Sequence, residues 1–265
     1  MVIENVSTGS CSMDYFRFGR GEKNLVILPG LSVQSVMGAA DAIAEAYRLI
    51  EERFTVYVFD RRSDLPSPYT VRDMARDTAE AFKVLGLDDL CIFGASQGGM
   101  MALVIAIEYP ELAGKLVLGS TSAHLKDAQF RVIEEWIRLA KNGDREGLYL
   151  DYGREIYPPE VFEQYRETLI EAAKTVTDKD LERFIILAEG ARGFDVVKEL
   201  DRIKCPVLAI GDFEDSVVDS DATMEIAEKL DAHADFRLYM YTGFGHAAFD
   251  TAPDYKEKIL RFFES

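Results

Sequence analysis

Short apolar segments recur along this 265-residue chain and alternate with segments of helical periodicity. They are rich in β-branched and aromatic residues and mostly end at Gly, Pro or Asp, as strands buried on both faces do. The segments are Leu25–Leu28, Thr55–Phe59, Leu90–Phe93, Leu116–Leu118, Val207–Ile210 and Phe236–Tyr241. Their alternation with helices predicts right-handed crossovers and an α/β fold with a mostly parallel sheet.

Two of the intervening segments, Val36–Glu51 and Val71–Leu85, carry apolar residues on one helical face. These residues are Ala39, Ile43, Ala46, Tyr47 and Ile50 in the first segment, and Met74, Ala75, Thr78, Phe82 and Leu85 in the second. At the start of the chain, Ile3–Val6 and Ser12–Phe18 predict an antiparallel hairpin at the edge of the sheet. The prediction is therefore an eight-stranded, mostly parallel sheet flanked by helices.

One connection is much longer than a crossover requires. No strand is indicated between Ser122 and Lys204, whereas the helical pattern returns at Phe130–Lys141, Pro159–Val176 and Asp178–Gly190. The segment is also rich in aromatic residues. We predict a helical cap at residues 122–204, inserted into a core domain formed by residues 1–121 and 205–265. The alternative is a second, independent domain.

One predicted strand runs directly into a helix through the residues GASQGG. Gly94 to Gly98 fit the pattern G-x-S-x-G, and the apolar segment Met100–Tyr109 follows. Glycines are expected where a sharp turn brings backbone segments too close for side chains, and such a turn exposes the serine at a helix N-terminus. A phosphate-binding loop would need a Lys-Ser/Thr pair or a nucleotide-binding glycine pattern, and neither is present. Ser96 is therefore the candidate nucleophile.

A serine hydroxyl needs a base to become nucleophilic, and the chain has three histidines. Ligands of open α/β sheets bind at the carboxyl ends of the strands, whereas His233 precedes a strand and lies at the opposite edge. His124 follows Leu116–Leu118 at the correct edge, but at the root of the cap, which favours a pocket-lining role. His246 comes directly after the last strand and is the candidate base.

The imidazole in turn needs a carboxylate that orients it and stabilises its cation. The loop after Val207–Ile210 reads GDFEDSVVDSDAT. Asp215 lies in the middle of this loop and is the preferred acid, with Asp219 and Asp212 as alternatives. Asp221 is predicted to be a helix N-cap.

The order Ser96, Asp215, His246 and the strand–turn–helix around the serine resemble the α/β-hydrolase fold superfamily, with a helical cap. The segment LGLDDLCIFGASQGGMMALVIAIEYPELAGKLVLGST is similar to the core of that family, and PVLAIGDFEDSVVDSDAT resembles its acid loop. The resemblance covers essentially the whole chain. It implies a triad hydrolase that works through a covalent acyl-serine.

The same resemblance implies an oxyanion hole made of two backbone N–H groups. One belongs to the residue after the nucleophile, Gln97, and the other to Leu31 in the loop LPGLS. Many members of the family have His-Gly where this chain has Pro29-Gly30. Because the donor is a main-chain N–H, this departure leaves the predicted oxyanion hole in place.

Further residues are candidates for contact with the substrate. Ser32, His124 and Trp136 are assigned to the pocket, with helix capping as the alternative role of Ser32. The run Asp60-Arg61-Arg62 follows another strand at the same edge. Its arginines would either bind a carboxylate on the substrate or form ion pairs that brace the loop, and we favour the second interpretation.

Composition narrows the class of partner. The formal net charge of −17 disfavours nucleic acid and anionic membrane surfaces, and no apolar run is long enough to span a bilayer. The N-terminal sequence lacks the features of a secretory signal, and Cys11, Cys91 and Cys205 are too few and too scattered for a disulfide framework. We therefore expect a cytoplasmic protein, without metal or organic cofactor, that acts on a small molecule.

Three functions remain compatible with these residues. The first is hydrolysis of a small carboxylic ester, thioester or lactone through an acyl-serine. The second, on the same triad, is hydrolysis of a C–C bond or cofactor-free haloperoxidase chemistry. The third is a non-catalytic protein that binds a small molecule within a hydrolase-like fold.

Overall fold

A single eight-stranded sheet forms the centre of the molecule. The structure, a computed structural model, describes residues Met1–Ser265. The strands are β1 (Ile3–Ser7), β2 (Ser12–Gly19), β3 (Lys23–Leu28), β4 (Phe54–Arg62), β5 (Leu90–Ala95), β6 (Ala113–Gly119), β7 (Val207–Asp212) and β8 (Phe236–Tyr241). Their order across the sheet is β1-β2-β4-β3-β5-β6-β7-β8. The eight-stranded sheet predicted from the sequence is thus confirmed.

The pairing of the strands determines which loops meet. β1 pairs antiparallel with β2, and β2 pairs antiparallel with β4, so the predicted edge hairpin is present. All remaining pairs, from β4 through β3 and β5 to β8, are parallel. The loops that follow β3, β5, β6, β7 and β8 therefore leave the sheet at one edge, where ligands bind in such sheets.

Ten α-helices surround this sheet or lie in the long connection after β6. They are α1 (Ala40–Ala46), α2 (Val71–Val84), α3 (Gln97–Glu108), α4 (Asp127–Lys141), α5 (Arg145–Ile156), α6 (Pro159–Ala173), α7 (Asp178–Glu189), α8 (Ser220–Leu230), α9 (Ala248–Thr251) and α10 (Tyr255–Glu264). The helix α2 matches its prediction, and its buried face includes Met74, Ala75, Thr78 and Phe82.

The segment 36–51 departs from the single helix that was predicted. It forms a 3-10 turn at Val36–Ala39, the short helix α1 and a second 3-10 turn at Arg48–Ile50. Ala39 and Ala46 are exposed rather than buried. A glycine at position 38 and a run of small residues give this segment little side-chain packing to sustain a longer helix.

Successive residues of a strand supply two separate cores, one on each face of the sheet. In β5, Leu90 and Ile92 pack in the larger core, together with α2 and α3, whereas Cys91 and Phe93 pack in the smaller core. The smaller core also contains residues of α1 and α10. Full burial of the central strands explains why their sequences are continuous apolar runs. The prediction that Phe236–Tyr241 is buried on both faces was wrong, because β8 lies at the edge of the sheet and is mostly exposed.

The long connection, residues 122–204, is here called the insertion. It contains the four helices α4 to α7, and α7 contacts α4 while α5 contacts α6. Arg183 of α7 forms an ion pair with Asp60 at the end of β4, so the insertion is joined to the sheet by a partly buried charge pair. None of the helices has both the length and the apolar character needed to cross a membrane.

Candidate active site

Ser96 lies in the turn between β5 and α3. Its backbone has φ 52° and ψ −122°, a left-handed conformation that side-chain-bearing residues rarely adopt. A Cβ atom on Gly94 would lie 2.5 Å from the carbonyl oxygen of Gly98, and one on Gly98 would lie 1.9 Å from that of Leu28. Both glycines are therefore required by close backbone contacts, and the turn projects the hydroxyl of Ser96 away from the sheet.

His246 connects the serine to an acid. Its Nε2 lies 2.9 Å from Ser96 Oγ, and its Nδ1 lies 2.9 Å from Asp215 Oδ2 and 3.0 Å from Oδ1. The histidine and aspartate are 4% and 7% exposed, so their interaction is largely shielded from water. Asp215 is held in place because its Oδ1 accepts hydrogen bonds from the backbone N–H groups of Val217 and Val218. The three side chains form one chain of hydrogen bonds.

The other acids of this loop have different partners. Asp212, at the end of β7, is fully buried and accepts the backbone N–H groups of Glu214 and Phe244, which links the acid loop to the loop after β8. Desolvation raises the pKa of Asp212. Asp219 is the N-cap of α8 and accepts the N–H of Asp221. The prediction that Asp221 is the N-cap was wrong by two residues.

Neither of the other histidines reaches Ser96. The backbone of His124 bridges that of Asp195, and its N–H donates to Ser122. His233 lies before β8, where its Nδ1 accepts the N–H of Asp235. The structure thus brings together, of the three histidines, only His246 with the serine.

The two backbone N–H groups assigned to the oxyanion hole border the same space. Leu31 and Gln97 both line the cavity beside Ser96. The N–H of Leu31 donates to no acceptor in the protein. Gln97 is the first residue of α3, where a helical N–H has no partner within the helix. Both residues thus carry an N–H without a backbone partner and line the same cavity as Ser96.

Arg61 braces both of the elements that carry these donors. Its side chain is 5% exposed at the end of β4 and donates to the carbonyl oxygen of Pro29 and to Oε1 of Gln97. Burial lowers the pKa of Arg61 to about 10, so the guanidinium is still charged at neutral pH. The neighbouring residues Asp60 and Arg62 form ion pairs with Arg183 and Asp77. The run therefore braces the site and does not line its cavity.

The space directly beside Ser96 is small and mostly apolar. Its volume is about 20 Å³, which is room for roughly one water molecule. We call it the inner cavity, lined by Leu31, Ser96, Gln97, Met100, Ile133, Trp136, Tyr152, Ile156, Ala191, Val217, Val218 and His246. Trp136 lines this cavity, whereas Ser32 and His124 do not. Ser32 donates to the carbonyl of Gln34.

A much larger groove lies outside the inner cavity. This outer groove has a volume of about 670 Å³ and is lined by Ser32, Val33, Gln34, Ser35, Val36, Gly38, Ala39, Tyr149, Tyr152, Ile156, Tyr157, Leu169 and Thr175. Tyr152 and Ile156 of α5 border both spaces and separate them. An even larger concavity, of about 800 Å³, lies at α8 and β8, has several acidic side chains and includes none of the triad residues.

Sequence reasoning missed α5, although this helix contacts three loops of the site. The hydroxyl of Tyr152 donates to the carbonyl of Leu31, with an O–O distance of 2.6 Å. The carbonyl of Glu155 accepts Ser216 Oγ, and that of Ile156 accepts the N–H of Ala247. Burial raises the pKa of Tyr152, which keeps its hydroxyl protonated. The available signals were Asp144, which caps the helix, and Pro158 after its end.

The site contains no group of three or more His, Cys, Asp or Glu side chains arranged to hold a metal ion. What the arrangement offers is a hydroxyl beside an imidazole and a carboxylate, with two free N–H donors nearby. These are the groups that acyl transfer through a serine requires.

The fold and these loops define the class of the protein. An α/β-hydrolase-fold family matches residues 23–149, and the dienelactone hydrolase family matches residues 193–260. The crystal structure of MGS-M2, an α/β-hydrolase enzyme from a Medee basin deep-sea metagenome library, has a TM-score of 0.87, 23% identity, and coverage of 99% of this chain and 98% of that one. The chain therefore has the α/β-hydrolase fold.

The names of two curated relatives state an activity as well as a fold. Serine hydrolase BPHL of Mus musculus is 28% identical over 159 residues, which are 54% of this chain and 53% of that protein. The chain thus matches only about half the length of this mouse relative. The "Putative carbamate hydrolase RutD" of Caulobacter segnis is 24% identical over 236 residues, covering 86% of this chain and 88% of that protein.

Proposed function

We propose that the protein is a serine hydrolase that cleaves a small carboxylic ester, thioester or lactone through an acyl-serine intermediate. The observation that supports this most strongly is the continuous chain of hydrogen bonds from Ser96 Oγ through His246 to Asp215. The similarity to a serine hydrolase and to the dienelactone hydrolase family supports the same class of reaction. In this proposal the insertion acts as a cap over the site.

In the first half-reaction, Ser96 Oγ forms a bond to the carbonyl carbon while its proton passes to His246 Nε2. The electron pair of the C=O bond moves to the oxygen, which the N–H groups of Leu31 and Gln97 stabilise as an oxyanion. Asp215 holds the imidazole in the required tautomer and stabilises the imidazolium. When the carbonyl reforms, the bond to the leaving group breaks, and the leaving oxygen or sulfur takes the proton from His246.

In the second half-reaction, water replaces the leaving group. His246 Nε2 removes a proton from the water as its oxygen attacks the acyl carbon, and the oxyanion forms again at the same two donors. Collapse of this intermediate breaks the bond to Ser96 Oγ, which recovers its proton from His246. The inner cavity has room for about one water molecule, which is the reactant that this step needs.

The proposal is tested by covalent labelling with a fluorophosphonate probe, followed by peptide mapping. We expect the wild-type protein to be labelled at Ser96 and S96A to remain unlabelled, because only an activated serine reacts with this electrophile. Ser120 provides the control, since it is a fully buried serine at the end of the neighbouring strand β6 with no hydrogen-bond partner for its hydroxyl. S120A should be labelled like the wild type.

A wild-type protein that resists the probe, while a known serine hydrolase in the same tube is labelled, would contradict the proposal. So would labelling that persists in S96A. Turnover of p-nitrophenyl esters gives a second measurement, in which an initial burst of one equivalent of p-nitrophenol would report the acyl-serine.

A further inference from the structure

Trp136 carries a hydrogen-bond donor that the protein itself does not satisfy. The side chain lies on α4, is 2% exposed and lines the inner cavity beside Ser96. Its indole Nε1 is buried and has no hydrogen-bond partner. Leaving a buried N–H unpaired costs stability, so native proteins pair almost all such groups. An unpaired donor on a residue at the wall of a cavity is therefore available to an acceptor that enters the cavity.

Every other polar side chain of the inner cavity is already engaged. The Tyr152 hydroxyl donates to the carbonyl of Leu31. Gln97 donates from Nε2 to the carbonyl of Leu187 at 2.7 Å and accepts from Arg61 at Oε1. Ser96 and His246 are paired with each other. The indole N–H is the single side-chain donor of this lining that has no acceptor.

The lining also contains no Asp, Glu, Lys or Arg. A charged substrate group in this cavity would lose its hydration without gaining an ionic partner, which is strongly unfavourable. The part of the substrate that enters the inner cavity is therefore neutral. Its size is restricted as well, because Ser96 and Trp136 line one cavity with a volume of about 20 Å³.

From these contacts we infer that Trp136 binds the substrate through its indole N–H, and that the substrate is a neutral acyl compound with a second oxygen acceptor. This acceptor, an ether, ketone or ring oxygen, lies within a few bonds of the carbonyl that Ser96 attacks. The inference rests on the proposed function, because it places the scissile carbonyl at Ser96. It assigns specificity to a group that takes no part in the bond-breaking steps.

The kinetic test compares two p-nitrophenyl esters of equal acyl length, the methoxyacetate and the butyrate, in which an ether oxygen replaces one methylene. The measured quantity is the ratio of kcat/KM for the methoxyacetate to that for the butyrate. We expect W136F to lower this ratio about 5-fold to 10-fold, as loss of one hydrogen bond to a neutral acceptor predicts. Dividing by the ratio of the wild type removes the difference in chemical reactivity between the esters.

Ile133 provides the matched control, because it lies on the same helix and lines the same cavity. I133V changes the shape of the cavity without removing a donor, so the ratio should stay within twofold of the wild type. If W136F also leaves the ratio within twofold, or lowers both rates equally, the N–H does not bind the substrate and the inference is wrong.

A spectroscopic test separates this inference from the proposed function. Trp136 is the only tryptophan, so its indole N–H gives one unambiguous signal in a proton–nitrogen correlation spectrum. In S96A, which should bind the esters without cleaving them, the methoxyacetate should move this signal downfield and the butyrate should move it less. Equal shifts would overturn the inference even if Ser96 is the nucleophile. Failure of both esters to acylate wild-type Ser96 would instead count against the proposed function.

Discussion

At the scale of single residues, the three histidines differ in what they contact, and this difference is testable. H246A should lower kcat for a p-nitrophenyl ester by roughly 10⁴-fold to 10⁶-fold, because the base is lost. H124A and H233A should stay within about twofold, since neither side chain lines the inner cavity. Comparable losses in H246A and H124A, measured on proteins with equal melting temperatures, would show that the base has been assigned wrongly.

Arg61 is a positioning residue in the proposed mechanism. R61M removes both hydrogen bonds that hold the Pro29 carbonyl and the Gln97 side chain. Because Arg61 does not line the inner cavity, we expect kcat to fall about tenfold to a hundredfold while KM changes less than threefold.

The neighbouring arginine serves as the control for this prediction. R62M removes an ion pair with Asp77, with an N–O distance of 3.3 Å, that involves neither Leu31 nor Gln97, the donors of the proposed oxyanion hole. Its kcat should match the wild type within twofold. A loss in R61M that appears in KM alone would mean that Arg61 contributes to binding rather than to the geometry of the site.

At the scale of helices and strands, α5 connects the insertion to the site. The hydroxyl of Tyr152 is the contact between this helix and the loop that carries the Leu31 N–H. Y152F removes that hydrogen bond and keeps the ring that packs on Trp136, with 4.6 Å between ring centroids. We expect kcat to fall about fivefold to tenfold, since the loop is no longer fixed relative to Ser96.

Tyr149 offers a matched comparison on the same helix. Its hydroxyl donates to Gln34 at 3.0 Å in the outer groove. Y149F should therefore affect kcat by less than twofold. If both variants lose the same activity, α5 contributes only its general packing, and the Tyr152 hydroxyl has no particular role.

Helices and strands with a regular apolar pattern could be predicted from the sequence. Elements that are held in place by contacts with distant residues could not. The central strands were recognisable because burial on both faces requires continuous apolar runs. The helix α5 was not, because it contains Gly147 and Gly153 and buries only Leu148, Gly153 and Ile156. Its position is determined by hydrogen bonds to three distant loops, and no local pattern records such contacts.

The candidate site likewise contains residues that the sequence predicts and contacts that it does not. Ser96, Asp215 and His246 lie at positions that strand order and loop length indicate, since loops after parallel strands meet at one edge. The contacts of Arg61 with Pro29 and Gln97 depend on side-chain reach across three strands, which periodicity does not reveal. The free N–H of Trp136 could be found only by accounting for every polar group of the inner cavity.

At the scale of the whole molecule, the two cores determine which thiols can react. Cys91 and Cys205 are buried, and desolvation raises the pKa of each to about 11. At pH 8, about one in a thousand of these thiols would be ionised, and the thiolate is the form that reacts. Native protein should therefore react rapidly with one equivalent of a disulfide reagent, at the partly exposed Cys11, and with three equivalents after unfolding.

The serine variant C11S provides the control for thiol labelling and should show no rapid phase. Raising the pH towards 11 should increase labelling of the buried thiols, because it ionises them. Three rapid equivalents in the native state at pH 8 would contradict the prediction and show that the regions around Cys91 and Cys205 open frequently.

The left-handed backbone at Ser96 makes this residue a source of instability. Such a conformation costs a side-chain-bearing residue about 1–3 kcal/mol, whereas a glycine adopts it freely at an entropic cost of roughly 0.5–1 kcal/mol. S96G should consequently melt about 2 °C above S96A, although both lack the hydroxyl. At Ser122, whose φ is not positive, the order of the glycine and alanine variants should reverse. Selection for heat resistance alone would then discard this serine, so its retention requires a benefit that the folded state does not supply.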